Sequence, residues 1–397
     1  MISRSLEAPI HKYSKKYPVV AIVGPRQSGK TTLARHLFPD HKYLSMENLD
    51  IRHMAQDDPR GFVDDYGKNI ILDEIQRVPS LFSCLQERVD LDDSPASYVL
   101  TGSQQFLRME KIIQSLAGRI ITFQLYPFSF NELCAAKPDK DINSIFKIKP
   151  EYIKGGKEID IYRMIFTGMY PRIHDKKRDA RKWIENYILT YIERDICSLV
   201  NVENPKLFED FLKICASMSG QLINYTSISN SIGVSQPTVK KWISLLETSG
   251  ILFVLPPHYK NFKKRIVKTP KLYFADTGVL SFLLSIRNPD ELMSHPLFGN
   301  IFETFIISEL YKRVFHVGEK PPFYFWRDKT GNEIDLIVHI GSKLLPIEIK
   351  ASKTNSPVIK SNIFSWLNLK GNTSERGFVV YRGEDSVGKR SAVSVIP

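Results

Sequence analysis

The segment from Val19 to Leu37 constrains the fold more than any other part of this 397-residue chain. Val19-Val20-Ala21-Ile22-Val23 is a continuous apolar, mostly β-branched run, the pattern of a buried parallel strand. Gly24-Pro25-Arg26-Gln27-Ser28-Gly29-Lys30-Thr31-Thr32 follows directly, and Leu33 to Leu37 continues as an amphipathic helix. Strand, G-x-x-x-x-G-K-T and helix, in that order, form the context that a P-loop requires. Gly24 and Gly29 let backbone N–H groups turn inward on phosphate oxygens, and the helix start adds its positive dipole. Lys30 is placed to reach the β- and γ-phosphates and Thr31 to ligate Mg²⁺, while Pro25, Arg26, Gln27, Ser28 and Thr32 complete the cradle. The expected cofactors are ATP and Mg²⁺.

A second buried strand ending in acids should stand beside such a loop. Asn69-Ile70-Ile71-Leu72-Asp73-Glu74 supplies it, at an interval that fits a helix and one more strand. Asp73 would hold the Mg²⁺ through water, and Glu74 would polarise the attacking water, which implies hydrolysis as well as binding. A third strand, Tyr98 to Thr101, runs into Gly102-Ser103-Gln104. Ser103, with Thr101 as second choice, is the polar group expected next to the γ-phosphate; the plain alternative is a β-to-α turn. Arg119, in Leu116-Ala117-Gly118-Arg119, is either a finger for a neighbouring subunit's site, which implies a homo-oligomer, or a surface ion-paired arginine.

GPRQSGKTTL, ILDEIQRVP, VLTGSQQF, SLAGRI and YPFSFNEL together resemble AAA+ ATPases with an AAA_14-type P-loop domain. In that family a DUF4143 region follows the ATPase, and the likeness continues through GMYP (168–171), YIERDI (191–196) and KTPKLYFADTG (268–278). The resemblance implies a parallel-sheet ATPase core, with a sensing residue in the place of Ser103. GMYP departs from the family's more usual double glycine.

Composition bounds the rest. With 43 % hydrophobic residues the chain is no disordered polymer, and its length allows two to four domains. The 55 Lys and Arg against 43 Asp and Glu leave +12, which favours an anionic partner. Cys84, Cys134, Cys197 and Cys215 form no Cys-x-x-Cys pair, so they read as reduced thiols with no zinc site. MISRSLEAPIHKYSKK has no apolar signal core, and no apolar stretch is long enough to cross a bilayer. A cytoplasmic protein with no membrane partner is expected, without fixed-period repeats.

The middle of the chain reads as helical from about 151 to 201; there Arg194 and Asp195 suit a neighbouring nucleotide or, more simply, an ion pair. After a helix at about 205–218, Thr226 to Ile232 is a short helix, Gly233-Val234 a turn, and Ser235 the cap of a second helix with Pro237 in its first turn. Val239, Trp242, Ile243 and Leu246 form the buried stripe, leaving Gln236, Lys240 and Lys241 exposed toward DNA. Beyond a strand at Gly250 to Pro256, Lys260, Lys263, Lys264, Arg265, Lys268 and Lys271 occur with no acid among them, where the wing of a winged helix belongs. Such modules also serve purely as protein contacts.

In the last quarter, Glu333-Ile-Asp335-Leu-Ile-Val338 and Ile347-Glu348-Ile349-Lys350 alternate, with Ile334, Leu336 and Val338 on one face. A two-residue turn at Gly341-Ser342 sets Ile340 opposite Lys343, Asp335 opposite Glu348 and Glu333 opposite Lys350. Opposed carboxylates repel unless a cation lies between them, and Mg²⁺ is the natural one, with Lys350 positioned to stabilise phosphate charge. The hairpin resembles PD-(D/E)xK nucleases, and Glu303, in a preceding helix, matches their helical acid. The resemblance implies a metal set of Glu303, Asp335 and Glu348, with Asp335, Glu348 and Lys350 catalytic. A solvated charged face is the alternative.

The expected architecture is therefore α/β. It comprises a P-loop core (1–136), a helical lid (150–204), a winged helix-turn-helix (205–285) and a nuclease-like domain (290–397). The expected function is ATP hydrolysis coupled to DNA processing. The alternatives are an ATP-dependent DNA- or partner-binding switch with a non-catalytic nuclease fold, or a STAND-like defence or mobile-element ATPase.

Overall fold

The apolar run Val19–Val23 is strand β1, buried along its whole length. The structure is a computed structural model that describes residues 2–103, 116–147, 160–191, 205–258, 269–354, 357–369, 372–383 and 392–396. Helix Lys30–Leu37 leads to β2 (Lys42–Ser45), and helices Leu49–Asp57 and Pro59–Tyr66 lead to β3 (Ile70–Asp73). Helix Leu81–Leu91, β4 (Tyr98–Gly102) and β5 (Ile120–Gln124) complete the layer. All neighbours pair in parallel, in the order β2-β3-β4-β1-β5. The register sets Asp73 level with Thr101 and Ser45, and Val23 level with Gly102. The carboxyl ends thus form one rim, the usual place for a ligand in an open α/β sheet. One face packs Leu44, Leu72 and Leu85; the other packs Leu6, Ile10 and Leu33. This is a P-loop ATPase sheet, as its sequence implies.

Helices Ile161–Thr167, Pro171–Asp175 and Ala180–Tyr187 come next, then helix Pro205–Ser217 and β6 (Gln221–Leu222). Helix Tyr225–Ile232, helix Gln236–Thr248, β7 (Leu252–Leu255) and β8 (Lys271–Phe274) follow, and the strands form an antiparallel sheet ordered β6-β8-β7. Ser235 Oγ accepts from Thr238 N at 3.2 Å, which caps the second helix. Val239, Trp242, Ile243 and Leu246 are buried, with the Trp242 ring 5.2 Å from both Phe208 and Phe211. Two motifs prove to be one joint. Asp276 accepts from Met169 N at 2.7 Å while capping helix Thr277–Leu283, and a Cβ on Gly278 would stand 2.6 Å from Gly168 N. Only glycine permits that approach, so this part of GMYP and FADTG is explained by packing.

The C-terminal part hangs on helix Phe298–His316, whose buried residues, from Phe298 and Ile301 to Val314 and His316, are spread round the helix rather than confined to one stripe, the mark of a central helix. Its sheet runs β13-β12-β11-β10-β9, with β9 (Phe323–Arg327), β10 (Glu333–Ile340), β11 (Lys343–Lys350), β12 (Gly377–Tyr381) and β13 (Val393–Ile396). Ile340 pairs with Lys343 and Leu336 with Ile347, the register expected from the two-residue turn. The expected face assignment fails at one place. Ile334 packs in the opposite core from Leu336 and Val338, because the β10–β9 pairing shifts register between Ile334 and Ile337. Helix Ser361–Leu367, after a single tight turn at Pro357–Lys360, connects β11 to β12. One apolar cluster runs from Tyr126 and Phe128 through the middle helices to Leu336 and Phe378.

Candidate functional site: a nucleotide cradle and a buried carboxylate centre

The loop after β1 turns where the backbone meets β5. A Cβ on Gly24 would lie 2.0 Å from Leu125 O, so this position admits no side chain. Gln27 and Gly29 both take positive φ, and Gly29 caps helix Lys30–Leu37. Lys30 is buried and its Nζ donates to Gly24 O (3.1 Å) and Pro25 O (2.9 Å). Burial lowers its pKa, opposed by Glu74 and Asp73. Ser28 Oγ is buried with no hydrogen-bond partner, a donor left over inside the loop. Such a leftover donor fits a phosphate oxygen.

Asp73 gathers hydroxyls from three elements. Thr31 Oγ1 donates to it at 2.9 Å, Tyr43 Oη at 2.7 Å, and Thr101 Oγ1 also donates. Burial first, and then Asp73, push the Tyr43 hydroxyl up to about 12. Thr31 and Asp73 thus juxtapose oxygen donors of the kind a hard divalent cation takes. Glu74 sits in left-handed backbone with its carboxylate bonded by the Gln76 amide. A cavity of about 920 Å³ opens over these groups, and Arg26, Lys30, Asp73, Glu74, Arg172 and Arg178 are part of its wall. Pro25 and Ser28 shape the loop beneath, and Thr32 lines the cavity.

The structure also sorts the remaining candidates. Thr101, not Ser103, touches Asp73; Ser103 follows the end of β4 and is not among the residues of the cavity wall. Arg119 pairs with Asp90 of its own chain and is not among the residues lining this chain's cavity. Sequence reasoning missed Tyr43, Arg172 and Arg4. Arg4 donates to Ser28 O (3.0 Å), Tyr126 O (2.6 Å) and Glu132 (3.2 Å), which fastens the P-loop to the start of the chain. Only the GMYP segment immediately before Arg172 gave any local signal.

Gln236, Lys240 and Lys241 are exposed on helix Gln236–Thr248, with Lys240 Nζ 5.4 Å from the Tyr225 ring centre and Gln236 bonded to Thr226. Lys260, Lys263, Lys264, Arg265 and Lys268 lie outside the described residues, as do Arg194, Asp195 and Cys197. Lys271, grouped above with the basic wing, is instead 2 % exposed and faces inward.

There it joins the carboxylates of the last domain. Lys271 Nζ bonds Glu303 (3.2 Å) and Glu333, and Tyr273 Oη donates to Glu303 at 2.6 Å. Lys350 Nζ donates to Glu348 at 2.6 Å and stands 3.7 Å from Asp335, which accepts from Ile349 N at 2.8 Å. Glu333 pairs with Lys271 and Arg327 rather than with Lys350. Burial and then Asp335 hold the Glu348 carboxyl well above its usual range. Burial also pushes Asp335 up, but Lys350 and Lys271 outweigh it and leave Asp335 low. Glu303 is raised to about 7 by burial and Asp335, against Lys271. Asp335, Glu348 and Lys350 therefore meet as expected. Glu303 stands near them, but its carboxylate is taken up by Lys271 and Tyr273, and among the described residues no group of three acidic, His or Cys residues is arranged to hold a metal ion.

Comparison with known proteins divides the chain into three matched regions. Residues 16–134 match the family described as AAA domain (AAA_14), 158–290 match Domain of unknown function DUF8612, and 298–397 match Domain of unknown function DUF4143. GMYP and FADTG fall within the DUF8612 match. An uncharacterized protein of Mycobacterium tuberculosis is 28 % identical over 99 % of this chain and 83 % of its own length. One of Methanocaldococcus jannaschii is 22 % identical over 90 % of this chain and 81 % of its own. A Walker-type ATPase of Pyrococcus abyssi has a similar structure at 13 % identity, with a TM-score of 0.40 over 71 % of this chain and 96 % of that one. The chain joins an AAA-type P-loop ATPase domain to a C-terminal DUF4143 domain.

Proposed function

We propose that this protein is an ATP-driven switch that engages DNA through its middle helices and whose nuclease-type C-terminal domain does not cut in the conformation described. The observation that carries the reading is the Lys30–Thr31–Asp73–Glu74 constellation under one cavity. Lys30 would leave its two carbonyls for the β- and γ-phosphates, and Ser28 would gain the acceptor it lacks. Thr31 and Asp73 would hold Mg²⁺, which when bound neutralises charge on the transferring phosphoryl group. Glu74 would orient and deprotonate water, and Arg172 from helix Pro171–Asp175 and Arg178 from the stretch after it would add positive charge.

The DNA element of the proposal rests on form and charge. Helices Tyr225–Ile232 and Gln236–Thr248 around Gly233, followed by β7 and β8, have the order of a winged helix, and Gln236, Lys240 and Lys241 face solvent. No described helix is long and apolar enough to cross a membrane. Duplex DNA should raise the rate of phosphate release from ATP. The double variant Lys240→Ala/Lys241→Ala should lose that stimulation and lower the slope of log K against log salt by about 2. Unchanged binding and stimulation would remove the DNA reading.

Metal-dependent DNA cleavage is the second reading, favoured by the meeting of Asp335, Glu348 and Lys350. It differs from the first in one assay: single-stranded, duplex and branched DNA incubated with Mg²⁺, with and without ATP. No product is expected. Product that disappears in Asp335→Ala would establish the nuclease instead.

A further inference from the structure

The carboxylate centre of the C-terminal domain already has a cation. Glu303, Glu333, Asp335 and Glu348 are brought together from helix Phe298–His316 and the β10–β11 hairpin, and all four are mostly buried. Buried charges such as these are strongly unfavourable without counter-charge beside them. Two ammonium groups reply. Lys350 comes from the same hairpin and serves Glu348 and Asp335. Lys271 comes from β8, a strand of a different sheet, and serves Glu303 and Glu333. It is also close enough to help depress Asp335. Its Nζ is therefore where charge from the helix and charge from the hairpin converge. Tyr273, on the same strand, donates to Glu303 and occupies another of its lone pairs. One group remains without a partner: Glu348 Oε1, in a side chain with no exposed surface.

We propose that Lys271 substitutes for a divalent cation, so that the centre is a latent metal site filled from within by the neighbouring unit. An ammonium with three donors can satisfy carboxylates from two elements, as a hard cation with oxygen ligands does. It differs in being covalently tethered to β8. While β8 is seated, Mg²⁺ or Mn²⁺ cannot enter without displacing a buried charge. This deepens the non-cutting reading given above and rests on it only for its biological meaning, since metal binding is measured without DNA.

The test uses full-length, nucleotide-free protein titrated with Mn²⁺ and followed by the loss of the free-ion EPR signal. Wild type should show no uptake that Asp335→Asn removes. Lys271→Met, which keeps the length and removes the charge, should gain about one Mn²⁺ per chain, and the added Asp335→Asn change should abolish the gain. Lys271→Arg keeps the charge and should behave as wild type. If Lys271→Met folds only with Mn²⁺, or melts higher in its presence, that too supports the substitution. An Asp335-dependent Mn²⁺ already present in wild type overturns it. So does a folded Lys271→Met that takes up none, or an unfolded one that Mn²⁺ does not rescue. Absence of DNA cleavage by wild type would leave the non-cutting reading standing in either of the latter cases.

Discussion

Glu74→Gln should leave ATP bound and almost unhydrolysed. The carboxylate directly follows β3, in the wall of the same cavity as Lys30 and Asp73, and in the proposed site it would act on the attacking water rather than on the phosphates. Glutamine keeps the shape and the contact with Gln76 but cannot take a proton. Loss of a general base costs about 10²- to 10⁴-fold in turnover, and the nucleotide dissociation constant should change little. Lys30→Ala should behave differently, losing affinity and turnover together because its charge acts on bound phosphates as well as on the transition state. Nucleotide binding followed by fluorescence, alongside steady-state phosphate release, separates the two variants. Equal phosphate release by wild type and Lys30→Ala would end the ATPase assignment.

Arg4→Met is the substitution expected to cost most stability. Arg4 and Glu132 form a salt bridge whose side chains are 4 % and 2 % exposed, with His316 Nδ1 3.4 Å from the other Glu132 oxygen. Methionine fills the space but strands the carboxylate, an omission worth about 3–5 kcal/mol. The urea midpoint should fall accordingly, and ATP affinity with it, since Arg4 also holds Ser28 O. Burial raises the Glu132 carboxyl, but Arg4 and then His316 outweigh it, so its folded pKa is depressed. A depressed carboxylate stabilises the fold above its unfolded pKa and loses that contribution as pH falls through the folded value. The gap between wild type and Arg4→Met should therefore be full at neutral pH and shrink in acid. A gap that widens on acidification would contradict this pairing.

What could be seen from the sequence was what local pattern encodes. The P-loop, the Asp73-Glu74 strand end and the β10–β11 register each depend on residues a few positions apart, and each is present. That Thr101 rather than Ser103 bonds Asp73 was not legible in the sequence, because parallel register decides which side chain stands level with Asp73. Arg4 and Glu132 are 128 positions apart, and Lys271 and Glu303 are 32 apart. No periodicity links such pairs. Lys271 looked like one more member of a basic run until β8 turned it inward. Ile334 changed faces because a bulge is a property of two strands, and one strand's alternation does not contain it.

Helix Phe298–His316 lies in the region matched to DUF4143, yet its later turns finish the P-loop domain. Lys312 Nζ donates to Phe128 O at 3.1 Å, and Phe130 N donates to Glu309 at 2.5 Å. Chain ends chosen at the family boundaries would therefore cut through a shared interior. A fragment stopping near residue 134 would expose Tyr126 and Phe128 and leave Glu132 without His316, and a C-terminal fragment would carry Lys312 and Glu309 with their outside partners missing. Exchange of one domain for a relative's would need to carry both sides of that seam.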